Sequence, residues 1–219
     1  MPVSLSERIW SSFTAASHTL GPTPGLRTRW HAGRRHHAVW MVRVDGPVLR
    51  ERVAQLQRTL GPWIQPVPLD DLHVTLRVAG FLTPRLHRDP AFPVADHAPP
   101  ATLQATLTQL PSTAPRLQIG PANSFASAPF LEVLDPAGDL ARLRTQLAHA
   151  GADEVRGSPW LPHLTVGTLM RRMPTGAPTR CLAGHRCWRP ITPQQSSVGL
   201  ATIDPENSTI TGFKVGSNQ

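Results

Sequence analysis

Two short stretches place a histidine and a threonine two residues apart: His73 and Thr75 in "DLHVTLR" (71–77), and His163 and Thr165 in "LPHLTVG" (161–167). Both stretches are apolar and strand-like, and they lie ninety residues apart. Side chains alternate faces along a strand, so each histidine projects with its threonine, and Arg77 continues the first row. A pair of imidazoles, with reference pKa near 6.5, suits phosphodiester chemistry: one takes a proton from water and the other protonates a leaving ribose oxygen. The two hydroxyls can donate to the non-bridging phosphate oxygens, where charge builds up in the transition state. If the two strands face one another across a cleft, the four side chains form one site.

The order of elements supports that arrangement. "HHAVWMVRV" (36–44) reads as a buried strand, followed by a helix with Asp45 as cap, Pro47 in its first turn, a stripe of Val48, Val53, Leu56 and Leu60, and Gly61 as stop. The first motif strand (72–82) comes next, then a Pro-rich loop to about residue 99 and a helix at 100–110. In the second half, strands at 116–120 and 130–135 are joined by "PANSFASAP". A helix follows at 137–151 with Leu140, Leu143 and Leu147 on one face, and then the second motif strand at 162–170. Strands at 196–204 and 208–216 close the chain as a hairpin around "PEN". A His-x-Thr strand thus follows a helix in each half, a weak duplication that predicts two similar α+β lobes.

Residues 1–35 read as an extension outside the domain at 36–219. They form a short helix with Ser6 as N-cap and Gly21-Pro22 as stop, and then a basic loop or mobile arm. This extension is expected to be dispensable for chemistry. The chain carries 22 Lys+Arg against 14 Asp+Glu for a net charge of +8, and Lys214 is its one lysine. An Arg-dominated surface suits a phosphate-bearing partner, because the guanidinium fork grips phosphate oxygens in pairs. No apolar run approaches the length of a membrane span, and the N-terminus lacks a basic-then-apolar leader pattern, so a cytoplasmic protein is expected.

Around the motifs, Trp160 is a candidate for stacking on a base, and Arg171 and Arg172 for steering phosphate. His36-His37 could touch phosphate, and Asp70-Asp71 reads as a turn that could orient His73. His18, His31, His87, His97, His149 and His185 read as solvated. Cys181 and Cys187 flank His185, one ligand short of a closed zinc site and without knuckle spacing, so they read as free thiols and no metal is expected.

"HVTLRVAG" and "PHLTVG", with "GPANSF" ahead of the middle strand, resemble the paired HxTx signatures of the 2H phosphoesterase superfamily. The resemblance is nearest to the LigT-like RNA 2′,3′-cyclic phosphodiesterases, also called 2′-5′ RNA ligases, and runs from residue 37 to about 215. It implies an α+β fold of two pseudo-symmetric lobes, with antiparallel-rich sheets and outer helices around a central cleft. It also implies metal-independent hydrolysis, without a cofactor, of cyclic phosphates at RNA ends or on nucleotides. By the same resemblance His163 is the general base and His73 the general acid, and the product is a 2′-phosphate; a monomer is expected. Val78 stands where that branch often has Phe, and Thr168 where its second motif carries Arg. Two alternatives stay open: a 2H enzyme acting on 2′-5′ linkages or small cyclic nucleotides, and a non-catalytic RNA-binding module. Intact His and Thr at all four positions favour turnover.

Overall fold

The computed structural model describes residues 3–83, 99–111, 113–149, 159–205 and 209–215. His87 and His97, the Pro-rich stretch around them, the end of the helix expected to reach 151, and the hairpin tip at 206–208 lie outside the described residues.

The apolar run of β1 (His37–Asp45) is buried because both of its faces are covered. Ala38, Trp40, Val42 and Val44 enter the main core, while Val39 and Met41 enter a smaller cluster on the other face with Ala201. Helix α3 (Pro47–Leu60) starts at Gly46 with Pro47 in its first turn and ends at Gly61. Asp45 lies one residue ahead of the cap, where its carboxylate accepts from the Gly46 N–H and from Arg50. The buried stripe is Leu49, Val53, Leu56 and Leu60, at spacings of four, three and four; Val48 breaks that spacing and is exposed.

Among the described residues the main sheet has seven strands, all antiparallel, in the order β4-β5-β6-β3-β1-β8-β9. These are β4 (Gln118–Ser124), β5 (Pro129–Leu134), β6 (His163–Thr165), β3 (His73–Phe81), β8 (Gln195–Ile203) and β9 (Ile210–Val215) around β1. In the first half β1, α3 and β3 form a strand–helix–strand unit; β5, α5 (Asp139–Gln146) and β6 repeat it in the second. Read outward from the β3–β6 boundary, β3-β1-β8 and β6-β5-β4 match strand for strand. The fold is therefore α+β and two-lobed, the lobes meeting where Val74 pairs with Leu164. Leu103 and Leu107 of α4 (Pro100–Gln109), with Leu140 and Leu143 of α5, join α3 in the main core.

The second motif strand is shorter than its sequence suggests. After Val166 the chain leaves the sheet, and β7 (Gly167–Leu169) pairs with the three-residue strand β2 (Ile64–Pro66). A Cβ on Gly167 would lie 2.7 Å from the Gln65 carbonyl oxygen, so only glycine permits this pairing. "PANSFASAP" is not all loop: β4 runs on to Ser124 through a register shift, leaving a tight turn before β5.

The N-terminal segment packs against the rest of the fold. Ser4, rather than Ser6, caps α1 (Leu5–Ala15) in a reciprocal capping box with Glu7. Phe13 is buried in the main core, and Ser6 accepts from the Asn123 side chain. Thr19 is fully buried, its hydroxyl 3.0 Å from the Arg171 carbonyl and accepting from the Met173 N–H. A short helix α2 (Leu26–His31) follows, and His31 is buried, contrary to the expectation that it is solvated. His37 is also buried, packed with Trp30 and Phe81, whereas His36 is exposed. Truncating Phe13 to Ala is expected to cost about 3–5 kcal/mol, the usual range for emptying a packed aromatic site. Denaturant unfolding measures this, and a loss below about 1 kcal/mol would show that α1 is only an appendage.

Candidate active site

The register sets the motif residues in two rows across the sheet. One step either side of the Val74–Leu164 pair, His73 stands opposite Thr165 and Thr75 opposite His163. Residues directly opposite in an antiparallel ladder point to the same side. Val74, Leu76, Leu164 and Val166 are buried in the core, so His73, Thr75, His163 and Thr165 share the other face, and all four are partly exposed. Each histidine therefore has its own threonine along the strand and the other motif's threonine across from it.

The rows continue through neighbouring strands. Phe130 lies opposite Thr165, and Glu132 opposite His163. On the other flank Arg43 lies opposite His73 and Met41 opposite Thr75, with Ser197 and Gly199 beyond them on β8. Phe125, at the turn after β4, stacks on Phe130 with centroids 4.4 Å apart and meets the His163 ring edge-on at 5.0 Å.

Both imidazoles are oriented in the same way. His73 Nδ1 lies 2.6 Å from the Asp71 carbonyl oxygen, and His163 Nδ1 lies 2.9 Å from that of Leu161. A carbonyl only accepts, so each Nδ1 carries a proton and donates, leaving each Nε2 as the working nitrogen. Asp71 orients His73 through its backbone, within the 3₁₀ turn Leu69–Asp71, while the Asp70 carboxylate pairs with Arg50. Burial pushes both imidazoles below their ordinary pKa. Each carbonyl bond pulls back, as does the Asp71 charge at His73, while nearby His163 and Arg43 push His73 down by less.

The remaining candidates fall in different places. A bulge shifts the β1–β3 register between Met41–Thr75 and Trp40–Arg77. Arg77 thus stands opposite Trp40, a core residue, and does not continue the row of His73 and Thr75. Its Nε is buried and has no hydrogen-bond partner among the described residues. Trp160 is half-buried against the core; its indole donates to the Thr75 carbonyl at 3.3 Å and its ring lies under the Arg144 guanidinium. It braces the first motif strand. Arg171 and Arg172 are exposed just past β7. Cys181, on α6 (Gly176–Ala183), and Cys187 are free, and His185 packs on Trp188.

Sequence reasoning missed Arg43, Glu132 and Phe125. Glu132 is buried and held by Asn123 at 2.8 Å and by Arg186. Asn123 also donates to Ser6, so this network ties α1 to the strand beside His163. The one local signal was a carboxylate inside the apolar run "PFLEVL".

The sequence matches the family model of the 2'-5' RNA ligase superfamily over residues 45–192. The chain belongs to that superfamily, the 2H phosphoesterases that its paired motifs resemble, and a phosphodiesterase-type activity goes with it. Among solved structures, ATU0111 from Agrobacterium tumefaciens, a conserved protein of unknown function, is 12% identical and covers 98% of this chain and 100% of its own, with a TM-score of 0.60. TT0787 of Thermus thermophilus is 16% identical over 84% of this chain and 99% of its own, with a TM-score of 0.48. E. coli LigT complexed with 3'-AMP is 14% identical over 84% of this chain and 93% of its own, also at 0.48. No curated protein sequence matches the chain. Among the described residues, no helix is long and apolar enough to cross a membrane.

Proposed function

We propose that the protein hydrolyses 2′,3′-cyclic phosphates, at RNA ends or on nucleotides, to 2′-phosphates. The observation that carries this reading is the pair of imidazoles on one sheet face, each with Nδ1 committed to a carbonyl and Nε2 left free. His163 Nε2 takes a proton from water as its oxygen attacks phosphorus. Protonated His73 gives its Nε2 proton to the departing 3′ oxygen, so the ring opens with the phosphate left on the 2′ oxygen. The Thr75 and Thr165 hydroxyls donate to the non-bridging oxygens. Arg171 and Arg172 draw in the RNA backbone from the rim, and the reaction takes place in the cytoplasm on a monomer.

The test is incubation with nucleoside 2′,3′-cyclic phosphates and with oligonucleotides ending in a cyclic phosphate, reading the phosphate position in the product. A 2′-phosphate is expected. Cleavage of 2′-5′ linkages alone, or nucleotide binding without turnover, would replace this reading. Activity is expected to persist in EDTA, since the two imidazoles and two hydroxyls already supply acid, base and charge stabilisation. Loss that one divalent metal restores would contradict it.

The lowered imidazole pKa values set the pH dependence. The base is active once it has lost its proton, and the acid while it keeps one, so kcat/KM follows a bell centred midway between the two values. Both lie below the ordinary value of about 6.5. The bell for a cyclic nucleotide, whose phosphate does not titrate in this range, is therefore expected to be centred on the acid side of about 6.5. A centre above that pH would contradict the burial argument.

A further inference from the structure

Beside the first catalytic row lies a groove of about 410 Å³, lined in part by Arg43, Asp70, Gln195, Ser197 and Phe213. Arg43 is the ladder partner of His73, and Ser197 is the ladder partner of Arg43, so the groove opens one strand away from the acid on the same sheet face. Its floor is built around an aromatic ring. A Cβ on Gly199 would meet the Lys214 carbonyl and lie 2.8 Å from Phe213 Cζ, so the absence of a side chain there lets both β9 and the ring lie close on β8. The Arg43 guanidinium sits 5.3 Å from the centre of that ring and is steadied by a 2.6 Å bond to the Asp70 carbonyl. The Asp45 and Asp70 carboxylates are both taken up by Arg50.

We propose that this groove binds the base of the nucleotide that carries the cyclic phosphate, with the base packed against Phe213 and the Arg43 guanidinium over it and its edge reached by Ser197. This rests on the phosphodiesterase reading of the site. From β3 to β8 is two strand spacings, about 10 Å, the reach of one nucleotide whose phosphate stands between the histidines. A flat ring with a guanidinium over it and neutral hydrogen-bonding side chains are what a nucleobase needs; a bare phosphate has no use for the ring. Arg43 thereby does two jobs, contacting the nucleoside and lowering the proton affinity of His73.

Binding needs no turnover, so it separates the subsite from the reaction. Wild-type protein and Phe213→Leu, Phe213→Ala and Phe213→Trp variants are titrated with adenosine 2′-phosphate and with inorganic phosphate. Wild type is expected to prefer the nucleotide, and the Leu and Ala variants to lose roughly five- to a hundredfold of that preference, the range for one base–aromatic stack. The Trp variant keeps it. Leucine retains apolar volume over Gly199, and inorganic phosphate reports in each variant whether the histidine site is still formed. A wild-type protein with no preference for the nucleotide, or Leu and Ala variants with the wild-type preference, would overturn the subsite. Nucleotide preference in a protein that opens no cyclic phosphate would overturn the reaction and leave the subsite standing.

Discussion

His73→Ala and His163→Ala are each expected to lower kcat on a nucleoside 2′,3′-cyclic phosphate by at least about a hundredfold. A positioned acid or base contributes roughly 10²–10⁴-fold, or about 3–5 kcal/mol of barrier. Each ring is partly exposed and anchored by one bond to a carbonyl, so its removal leaves the strands paired through Val74 and Leu164. Circular dichroism and the unfolding transition should accordingly report a folded protein in both variants. The two histidines serve one step, so the double variant should lose less than the product of the single losses. Thr75→Val and Thr165→Val should cost less than either histidine, because each removes one hydrogen bond to phosphate and leaves proton transfer in place. Two fully active single histidine variants would end the two-histidine reading.

What could be read from the residues was whatever depends on local period. The His-x-Thr spacing settles that each pair shares a face, and the burial of Val74 and Leu164 between them agrees with it. Whether the two pairs share one sheet depends on the β3–β6 register, a contact between segments ninety residues apart that no local pattern encodes. Arg43 was invisible for the same reason: it reads as one basic residue in an apolar strand until the ladder sets it against His73. Arg77 misled because strict alternation assumes an unbroken strand, and the register shift after Thr75 breaks it. Helix α6 was missed because "GAPTRCLA" looks like a turn, although Pro178 falls in the first helical turn, where it forfeits no hydrogen bond. Residues 21–35 read as a loop or arm because Pro, Gly and Arg dominate them. The anchors ahead of them, Phe13 and Thr19, have no meaning until their distant partners are in place. Ser4 was the better cap by its Ser-x-x-Glu pattern, a signal that was there to be used.

An analogue whose leaving oxygen departs without help should separate the roles of the two histidines. The arrangement is close to symmetric: two imidazoles, each with its threonine and each donating Nδ1–H to the carbonyl two residues before it. The flanks break that symmetry. His73 has a guanidinium opposite it, from Arg43, while His163 has the buried Glu132, already neutralised by Arg186, and the edge of Phe125. With the acid at His73, a leaving group that needs no proton makes that imidazole superfluous, so the analogue should return His73→Ala to within about tenfold of wild type. It should leave His163→Ala defective by about a hundredfold or more, since water still has to be deprotonated. The pH profiles give a second reading. On the activated analogue the alkaline limb of the wild-type bell should vanish, because that limb reports loss of the acid's proton, while the acidic limb stays. Rescue of His163→Ala in place of His73→Ala would exchange the two roles. Attack would then start from the Arg43 side of the sheet, and the nucleoside leaving group would lie toward Phe125.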